Sequence, residues 1–169
     1  MFYQLRIFFI LFLFTIISCS KRPDNPQKMA ESLYRCLQKN NFRKFNRLFA
    51  KQSDYQNWYK SHDLNPDEVE NFDYQIDLLN KNGFFSEDTI SKVFGQLINY
   101  PLLKEVDFWK HSKIKEFEGT DPELNTRGIE QADVYLTITG KGLSLTLKTG
   151  EMYRPGQKWI ITNFPKWVN

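Results

Sequence analysis

The spacing of the apolar residues changes at Tyr100-Pro101, and this change constrains the fold more than any other feature of the chain. Before Pro101 the apolar positions recur every three or four residues, which is typical of amphipathic helices. After Pro101 they alternate, as in strands with one buried face. Helices gathered first and strands second predict an α+β fold, with N-terminal helices packed on a C-terminal antiparallel sheet of about three or four strands.

Five helices are predicted before Pro101. The clearest start is Asn65-Pro66-Asp67-Glu68, where a capping side chain precedes a proline and two acids. Its helix should stop at Asn82-Gly83. In the second helix Phe42, Phe45, Leu48 and Phe49 share one face, and Ser53 should cap the third. The apolar or aromatic stripes of the five helices begin at Met29, Phe42, Tyr55, Val69 and Ile90.

The predicted sheet is a meander. Its first hairpin turns at Gly140-Lys141-Gly142. A second turn, Arg154-Pro155-Gly156-Gln157, has proline and glycine where a type II turn requires them. A further strand is predicted before the hairpin, followed by a polar loop over 120–130. The predicted strands are 113–118, 131–139, 143–147 and 158–164.

The first eighteen residues have the layout of a bacterial export signal. A short segment with Arg6 precedes the apolar run Ile7 to Ile17 and then the small residues Ser18, Cys19 and Ser20. This run has eleven positions, whereas a membrane-spanning helix needs about 20 apolar residues. A cleaved signal is therefore predicted over 1–18.

The residues Ile16-Ile17-Ser18-Cys19 resemble the lipobox of bacterial lipoproteins. The resemblance implies cleavage between Ser18 and Cys19 and attachment of acyl chains such as palmitate at Cys19, which would hold the protein on a membrane. It also implies a position in the cell envelope, facing the periplasm or the cell surface, and Ser20 points to the outer membrane. An ordinary cleavable signal or an uncleaved anchor, either with a chance cysteine, is the alternative. The predicted organisation is signal 1–18, lipidated tether 19–26 and one α+β domain 27–169.

Charge and composition argue against several function classes. The formal net charge is +3, and Arg6 would leave with the signal, so nucleic acid is not an expected partner. Cys36 would be the one cysteine left for a disulfide or a metal. Because His62 and His111 are the only histidines and no ligand spacing is present, neither a zinc site nor another cofactor is predicted. No catalytic residue is assigned.

Two segments resemble nuclear-transport-factor-like and SnoaL-like domains. One is 36–50, a helix, a break and a short helix ending in Leu-Phe-Ala; the other is 156–164, where Gly156 and Trp159 lead into an apolar alternation. The resemblance implies a cystatin-like cone, a fold that also hosts isomerases and dehydratases. The helical region 55–100 departs from the family, which often has an early strand there, so an unrelated α+β layout stays open.

Aromatic residues make up 16% of the chain, and five amphipathic ones among them are singled out as candidates. They could line a pocket for a small apolar ligand or form a patch for a protein partner. The expected function is thus a membrane-anchored ligand- or partner-binding module, with an isomerase or dehydratase and an immunity-type toxin inhibitor as alternatives. The five candidate residues are Trp58, Tyr59, Tyr74, Trp109 and Tyr135.

Basic residues recur every four positions at Arg43, Arg47 and Lys51. This spacing predicts a positive helix face. Such a face could rest against anionic headgroups beside the anchor, or it could simply be solvated.

Overall fold

A computed structural model describes residues 22–62, 65–103, 107–124 and 129–168. The predicted signal 1–18 and the predicted lipid-bearing Cys19 lie outside the described residues. Within them, helices come first and an antiparallel sheet follows, which confirms the α+β class. In the part of the chain that is described, no helix is long and apolar enough to cross a bilayer.

Six α-helices and one 3₁₀ turn occur in the described residues. The 3₁₀ turn, Pro101–Leu103, marks the change of period noted in the sequence. The helices are α1 Pro26–Gln38, α2 Phe42–Asn46, α3 Gln52–Lys60, α4 Pro66–Lys81, α5 Glu87–Ile98 and α6 Phe108–His111.

Capping side chains begin the helices largely as predicted. Asn65 and Glu68 form the reciprocal capping box of α4, and the Ser86 hydroxyl accepts from the Thr89 N–H at the start of α5. Helix α4 ends at Lys81, one residue before the predicted stop. The predicted cap at Ser53 is wrong: the N-cap is Lys51, two residues earlier, and the Asp54 carboxylate accepts the Lys51 N–H there.

The second helix is shorter than its apolar face suggested. It ends at Asn46, and the chain continues as an extended segment in which Phe49 forms a parallel bridge with Ile161. The backbone of this segment bonds to the sheet at both sides, from Ala50 N–H to the Ile161 carbonyl and from Ile161 N–H to the Leu48 carbonyl. Tertiary pairing therefore overrides a helical pattern of Phe45, Leu48 and Phe49.

The sheet has six strands in the order β1-β3-β4-β5, with β2 pairing β3 and β6 pairing β4. The predicted strand 113–118 is present as β1. Two short strands, β2 and β6, were not predicted and raise the count to six, and β2 interrupts the predicted polar loop at 123–124. The strands are β1 Lys113–Gly119, β2 Glu123–Leu124, β3 Glu130–Gly140, β4 Leu143–Arg154, β5 Ile160–Ile161 and β6 Lys166–Val168.

The end of the chain differs from its prediction. The single strand expected over 158–164 is only Ile160–Ile161, and a separate strand, β6, follows and pairs with β4. The turn before it is not type II, since Gly156 is not among the glycines of positive φ. The alternation of apolar residues correctly indicated extended structure here, but it did not indicate which residues pair with β4.

A bulge in the β3-β4 ladder lies between Asp133 and Tyr135. On β4 it falls around Gly150, whose φ is +88°. A Cβ at Gly150 would lie 2.2 Å from the Asn163 carbonyl oxygen, so only glycine allows this close approach. The bulge changes the direction of the second half of β4, and with it the orientation of the side chains of Glu151 and Tyr153.

The core lies between the helices and one face of the sheet. Helix α1 packs on β3, with Met29, Leu33 and Leu37 fully buried. From the sheet side, alternate residues of β3 and β4 are buried, including Leu136, Ile138 and Leu147. These two periodicities, one helical and one alternating, were both readable in the sequence.

The segment predicted as a tether is docked on the domain from Arg22 onwards. The Arg22 guanidinium contacts both oxygens of Asp54 and the carbonyls of Arg47 and Phe49. The Pro23 carbonyl accepts the Trp159 N–H at 3.1 Å. Helix α1 then starts at Pro26, inside the predicted tether. A polar, proline-containing composition gave no sign of these contacts, because they are made with residues distant in sequence.

Candidate functional site

A cavity of about 300 Å³ lies between α4 and the second half of β4. Its lining is mostly apolar and aromatic, with a few polar groups, as in many small-molecule sites. The lining residues among those described are Tyr55, Phe72, Tyr74, Gln75, Ile76, Leu78, Leu79, Ile129, Glu151, Tyr153 and Thr162.

Helix α4 supplies the apolar wall and the rim. Phe72 and Ile76 are buried, while Tyr74 and Leu78, four residues apart and so on one side of the helix, are 62% and 39% exposed. The capping box at Asn65 and Glu68 fixes where this helix begins. The rim therefore presents two large apolar side chains to any molecule that enters.

Strand β4 and the segment after β5 supply the polar groups of the cavity. Glu151 and Tyr153 alternate with the fully buried Met152, so they lie together on the other side of the strand. The Glu151 carbonyl accepts from both the N–H and the hydroxyl of Thr162, at 2.8 and 3.0 Å. These bonds hold the backbone that carries the Glu151 carboxylate.

Glu151 is the one charged residue among the described residues that line this cavity. Among the described residues, no lysine, arginine or histidine nitrogen lies within ion-pair distance of Glu151. A carboxylate in a mainly apolar cavity accepts hydrogen bonds from N–H and O–H groups and attracts a cation. The arrangement is suited to a molecule with an apolar body and one polar or positive group.

Of the five aromatic residues singled out from the sequence, Tyr74 lines the cavity. Trp58 and Tyr59 lie behind it, with their rings 5.5 and 5.8 Å from the Phe72 ring. Trp58 is buried and Tyr59 half-buried. These two side chains thus support the wall through Phe72 without lining it.

Trp109 lies elsewhere, beside Trp167 with 6.0 Å between their rings. Its indole N–H donates to the Ile98 carbonyl at 3.4 Å, and that of Trp167 donates to the Leu97 carbonyl at 3.1 Å. Both carbonyls belong to the last turn of α5, where helix carbonyls lack partners within the helix. The two tryptophans therefore cap the C-terminal end of α5.

Tyr135 lies on β3, and its ring has the Lys148 ammonium 5.4 Å from its centroid. Lys148 also pairs with Asp133 at 3.0 Å. The hydrogen bond to Asp133 is the main cause that raises the pKa of Lys148. Tyr135 thus belongs to a polar cluster on the sheet, apart from the cavity.

The two histidines and Cys36 are not among the residues that line the cavity. His62 is exposed, and its ring stacks on Trp58 at 4.4 Å; His111 is exposed at the end of α6. Cys36 is buried in the core, where desolvation raises the pKa of its thiol to about 11. In the residues that the structure describes, no three His, Cys, Asp or Glu side chains are grouped to hold a metal ion.

Sequence reasoning missed Glu151, Tyr153 and Thr162. The signal that could have found them is weak: Thr149-Gly150-Glu151 places a glycine and a charge inside an otherwise apolar alternation, which suggests a bulge. Nothing local indicated that α4 would face this part of β4.

Comparisons with known protein families, with curated proteins and with solved structures found no match for the chain.

Proposed function

We propose that this protein is a lipid-anchored bacterial envelope protein whose domain binds a small, mainly apolar molecule in the cavity between α4 and β4. The polar end of the ligand carries a hydrogen-bond donor or a positive charge and faces Glu151. The observation that supports this most directly is the composition of the cavity: its lining is mostly apolar and aromatic and includes one acidic residue, Glu151. No cofactor or nucleic acid takes part.

The size of the cavity supports a small ligand. A volume of about 300 Å³ lies at the lower end of the range in which small-molecule sites fall. The exposed side chains of Tyr74 and Leu78 at the rim would lose contact with water when the ligand binds. Burial of such apolar surface is the main source of affinity in sites of this kind.

Titration with N-phenyl-1-naphthylamine, a neutral apolar fluorophore, tests the binding site. We expect saturable binding of one dye per chain, and loss of that binding in Leu78→Glu because a charge is placed at the rim. Leu102→Glu is the matched control, since Leu102 is also exposed but does not line the cavity. Absence of saturable binding, or equal loss in the two variants, would contradict the proposal.

The charge of the ligand is tested with Glu151→Gln. A cationic, similarly sized apolar dye should bind the unaltered protein more tightly than the neutral dye, and the difference should vanish in the variant. The neutral dye should bind both proteins alike. If the variant binds the cationic dye as well as the unaltered protein does, Glu151 is not a determinant of binding.

The lipid anchor rests on residues 16–19 and is tested separately. We expect Cys19→Ser to abolish labelling by a fatty-acid probe and to release the protein from the membrane fraction. Unchanged labelling and attachment would refute the anchor. This result is independent of dye binding, which concerns the domain alone.

Two alternatives from the sequence keep some support. Catalysis of the isomerase or dehydratase type is favoured by the presence of a carboxylate and tyrosines in one cavity; it requires turnover of a bound compound that Glu151→Gln abolishes while binding persists. An immunity-type inhibitor is favoured by the exposed Tyr74 and Leu78; it requires a toxin that Leu78→Glu no longer binds.

A further inference from the structure

Strand β1 lies at an edge of the sheet. In the described part of the chain it pairs with β3 and with no other strand. Strand β2 pairs with β3 further along, at Glu130 and Gln131, whereas β1 pairs with it from Val134 to Thr139. The outer side of β1 therefore presents N–H and C=O groups to which another strand can bond.

A bulge in β1 decides which of its side chains share a face. The ladder with β3 shifts between Ile114 and Glu116, so Lys115 is an extra residue. Ile114 and Phe117 are half-buried, and their partners on β3 are fully buried in the core. The three charged residues whose partners alternate with those buried ones lie on the other face of the sheet and are exposed: Lys113, Glu116 and Glu118.

The sequence of β1 is complementary to itself in the antiparallel direction. The order Lys-Ile-Lys-Glu-Phe-Glu over 113–118 meets Glu-Phe-Glu-Lys-Ile-Lys when a second copy runs the opposite way. Lys113 then lies opposite Glu118 and Lys115 opposite Glu116, while the two apolar side chains lie opposite each other. Cross-strand pairs of opposite charge and of apolar residues both stabilise an antiparallel pair of strands.

The bulge makes this register compatible with one continuous sheet. Residues directly opposite each other in an antiparallel pair lie on the same face. In a regular strand, residues 113 and 118 would lie on opposite faces because side chains alternate with a period of two. The extra residue Lys115 brings Lys113 and Glu118 to one face and leaves Ile114 and Phe117 together on the other.

The charges of β1 have no opposite partner within the described residues. None of the ion pairs found there includes a β1 side chain. Charged side chains on a free edge oppose pairing with most strands. A strand with the reverse order of charges is the exception, because it places an opposite charge beside each of them.

We infer that two copies of this protein associate through β1, antiparallel and about a two-fold axis that passes between Lys115 and Glu116, so that their sheets become one. An isologous contact of this kind requires a surface that is complementary to itself, as β1 is. The inference goes beyond the proposed function and depends on neither the cavity nor the anchor. Because six paired residues cover little surface, we expect the dimer to be weak and to dissociate on dilution.

Two charge swaps of equal composition test the register. Lys113→Glu with Glu118→Lys exchanges two residues that face each other across the axis, so every pair stays opposite in charge and the dimer should persist. Lys113→Glu with Glu116→Lys makes the same kind of exchange but places like charges opposite each other throughout, so the dimer should be lost. Sedimentation equilibrium of the full chain in density-matched detergent, over a range of concentrations, measures both variants.

A mixture of two further variants controls for misfolding. Lys113→Glu with Lys115→Glu, and Glu116→Lys with Glu118→Lys, should each be monomeric alone because like charges then oppose each other. Mixed in equal amounts they should form a dimer of one copy of each, which a misfolded chain could not do.

Three results would overturn the inference. One is a monomeric unaltered protein, which would leave the edge to a strand of another protein. The second is an equal effect of the two charge swaps, and the third is a mixture that stays monomeric. Exposed lysines away from the sheet give a last control: Lys81→Glu with Lys92→Glu changes the net charge as much as the double lysine variant of β1 and should leave the dimer intact.

Discussion

Arg22 and Asp54 form a two-point salt bridge, with 2.6 Å between Nη1 and Oδ1 and 2.9 Å between Nη2 and Oδ2. Both side chains are about three-quarters buried. Asp54 also accepts the Lys51 N–H and so starts α3. The Arg22 guanidinium also donates to the Phe49 carbonyl, so this ion pair ties the N-terminal segment, the bridge at Phe49 and helix α3 together.

Loss of this contact should destabilise the domain measurably. Arg22→Ala is expected to lower the free energy of unfolding by about 1–3 kcal/mol, because it leaves the Asp54 carboxylate without its charged partner. Lys28→Ala is the control, since the ion pair of Lys28 with Asp24 is more than half exposed and exposed pairs contribute about 0–1 kcal/mol. Urea unfolding measures both, and equal effects would contradict the prediction.

Gly150 should not accept a side chain. Gly150→Ala is expected to destabilise the fold by more than about 2 kcal/mol, because a Cβ would collide with the Asn163 carbonyl and φ is +88°. Gly156→Ala, where a Cβ meets nothing within 4 Å, should change stability by less than about 1 kcal/mol in either direction. Thermal unfolding of the two variants compares them, and a stable Gly150→Ala protein would show that the bulge can relax.

The caps on α5 should differ in strength. Trp167→Phe removes the 3.1 Å bond to the Leu97 carbonyl, and Trp109→Phe removes the 3.4 Å bond to Ile98. We expect each to lower stability, by roughly 1–3 kcal/mol for Trp167 and less for Trp109, because a shorter bond to an otherwise unpaired carbonyl contributes more. Urea unfolding measures both, and an equal loss in the two variants or the reverse order would contradict the prediction.

The Cys36 thiol should be unreactive in the folded protein. Burial raises its pKa to about 11, whereas a thiol in an unfolded chain has a pKa of about 8.5. Stability should therefore be insensitive to this group below pH 8.5 and fall by about 2–3 kcal/mol as pH rises to 11, because the unfolded state then releases a proton that the folded state retains.

Two measurements test this. In Cys19→Ser, where Cys36 is the only thiol, a thiol reagent at pH 8 should react slowly until urea is added. The alkaline loss of stability should also be smaller in Cys36→Ala by the same 2–3 kcal/mol. Fast labelling of the folded chain, or identical pH profiles, would show that the thiol is accessible.

Helix boundaries set by local capping were the most predictable part of the fold. The box at Asn65 and Glu68 and the cap at Ser86 involve residues three apart, so their partners are visible in sequence. The prediction that the second helix continues through Leu48 and Phe49 is wrong, because the backbone there pairs with Ile161, more than a hundred residues later. Competition from distant strands is not encoded in local spacing.

The candidate site was less predictable than the fold. Tyr74 was singled out for its aromatic character and lines the cavity, but Glu151 and Tyr153 were not singled out. Their position depends on the bulge at Gly150 and on α4 lying against β4. An amphipathic aromatic side chain can line a cavity or cap a helix, and the sequence does not distinguish the two. Tyr74 lines the cavity, whereas Trp109 caps α5.

By itself, the sequence determined the order of helices and strands, most helix starts, the central hairpin and the alternation of buried residues in β3. These properties depend on side-chain period and on capping groups a few residues apart. Only the tertiary structure decided that Arg22 bonds to Asp54, that Phe49 joins Ile161 and that α4 and β4 enclose a cavity. Each of these contacts joins residues far apart in sequence, where geometry and desolvation decide among many partners that local spacing leaves equivalent.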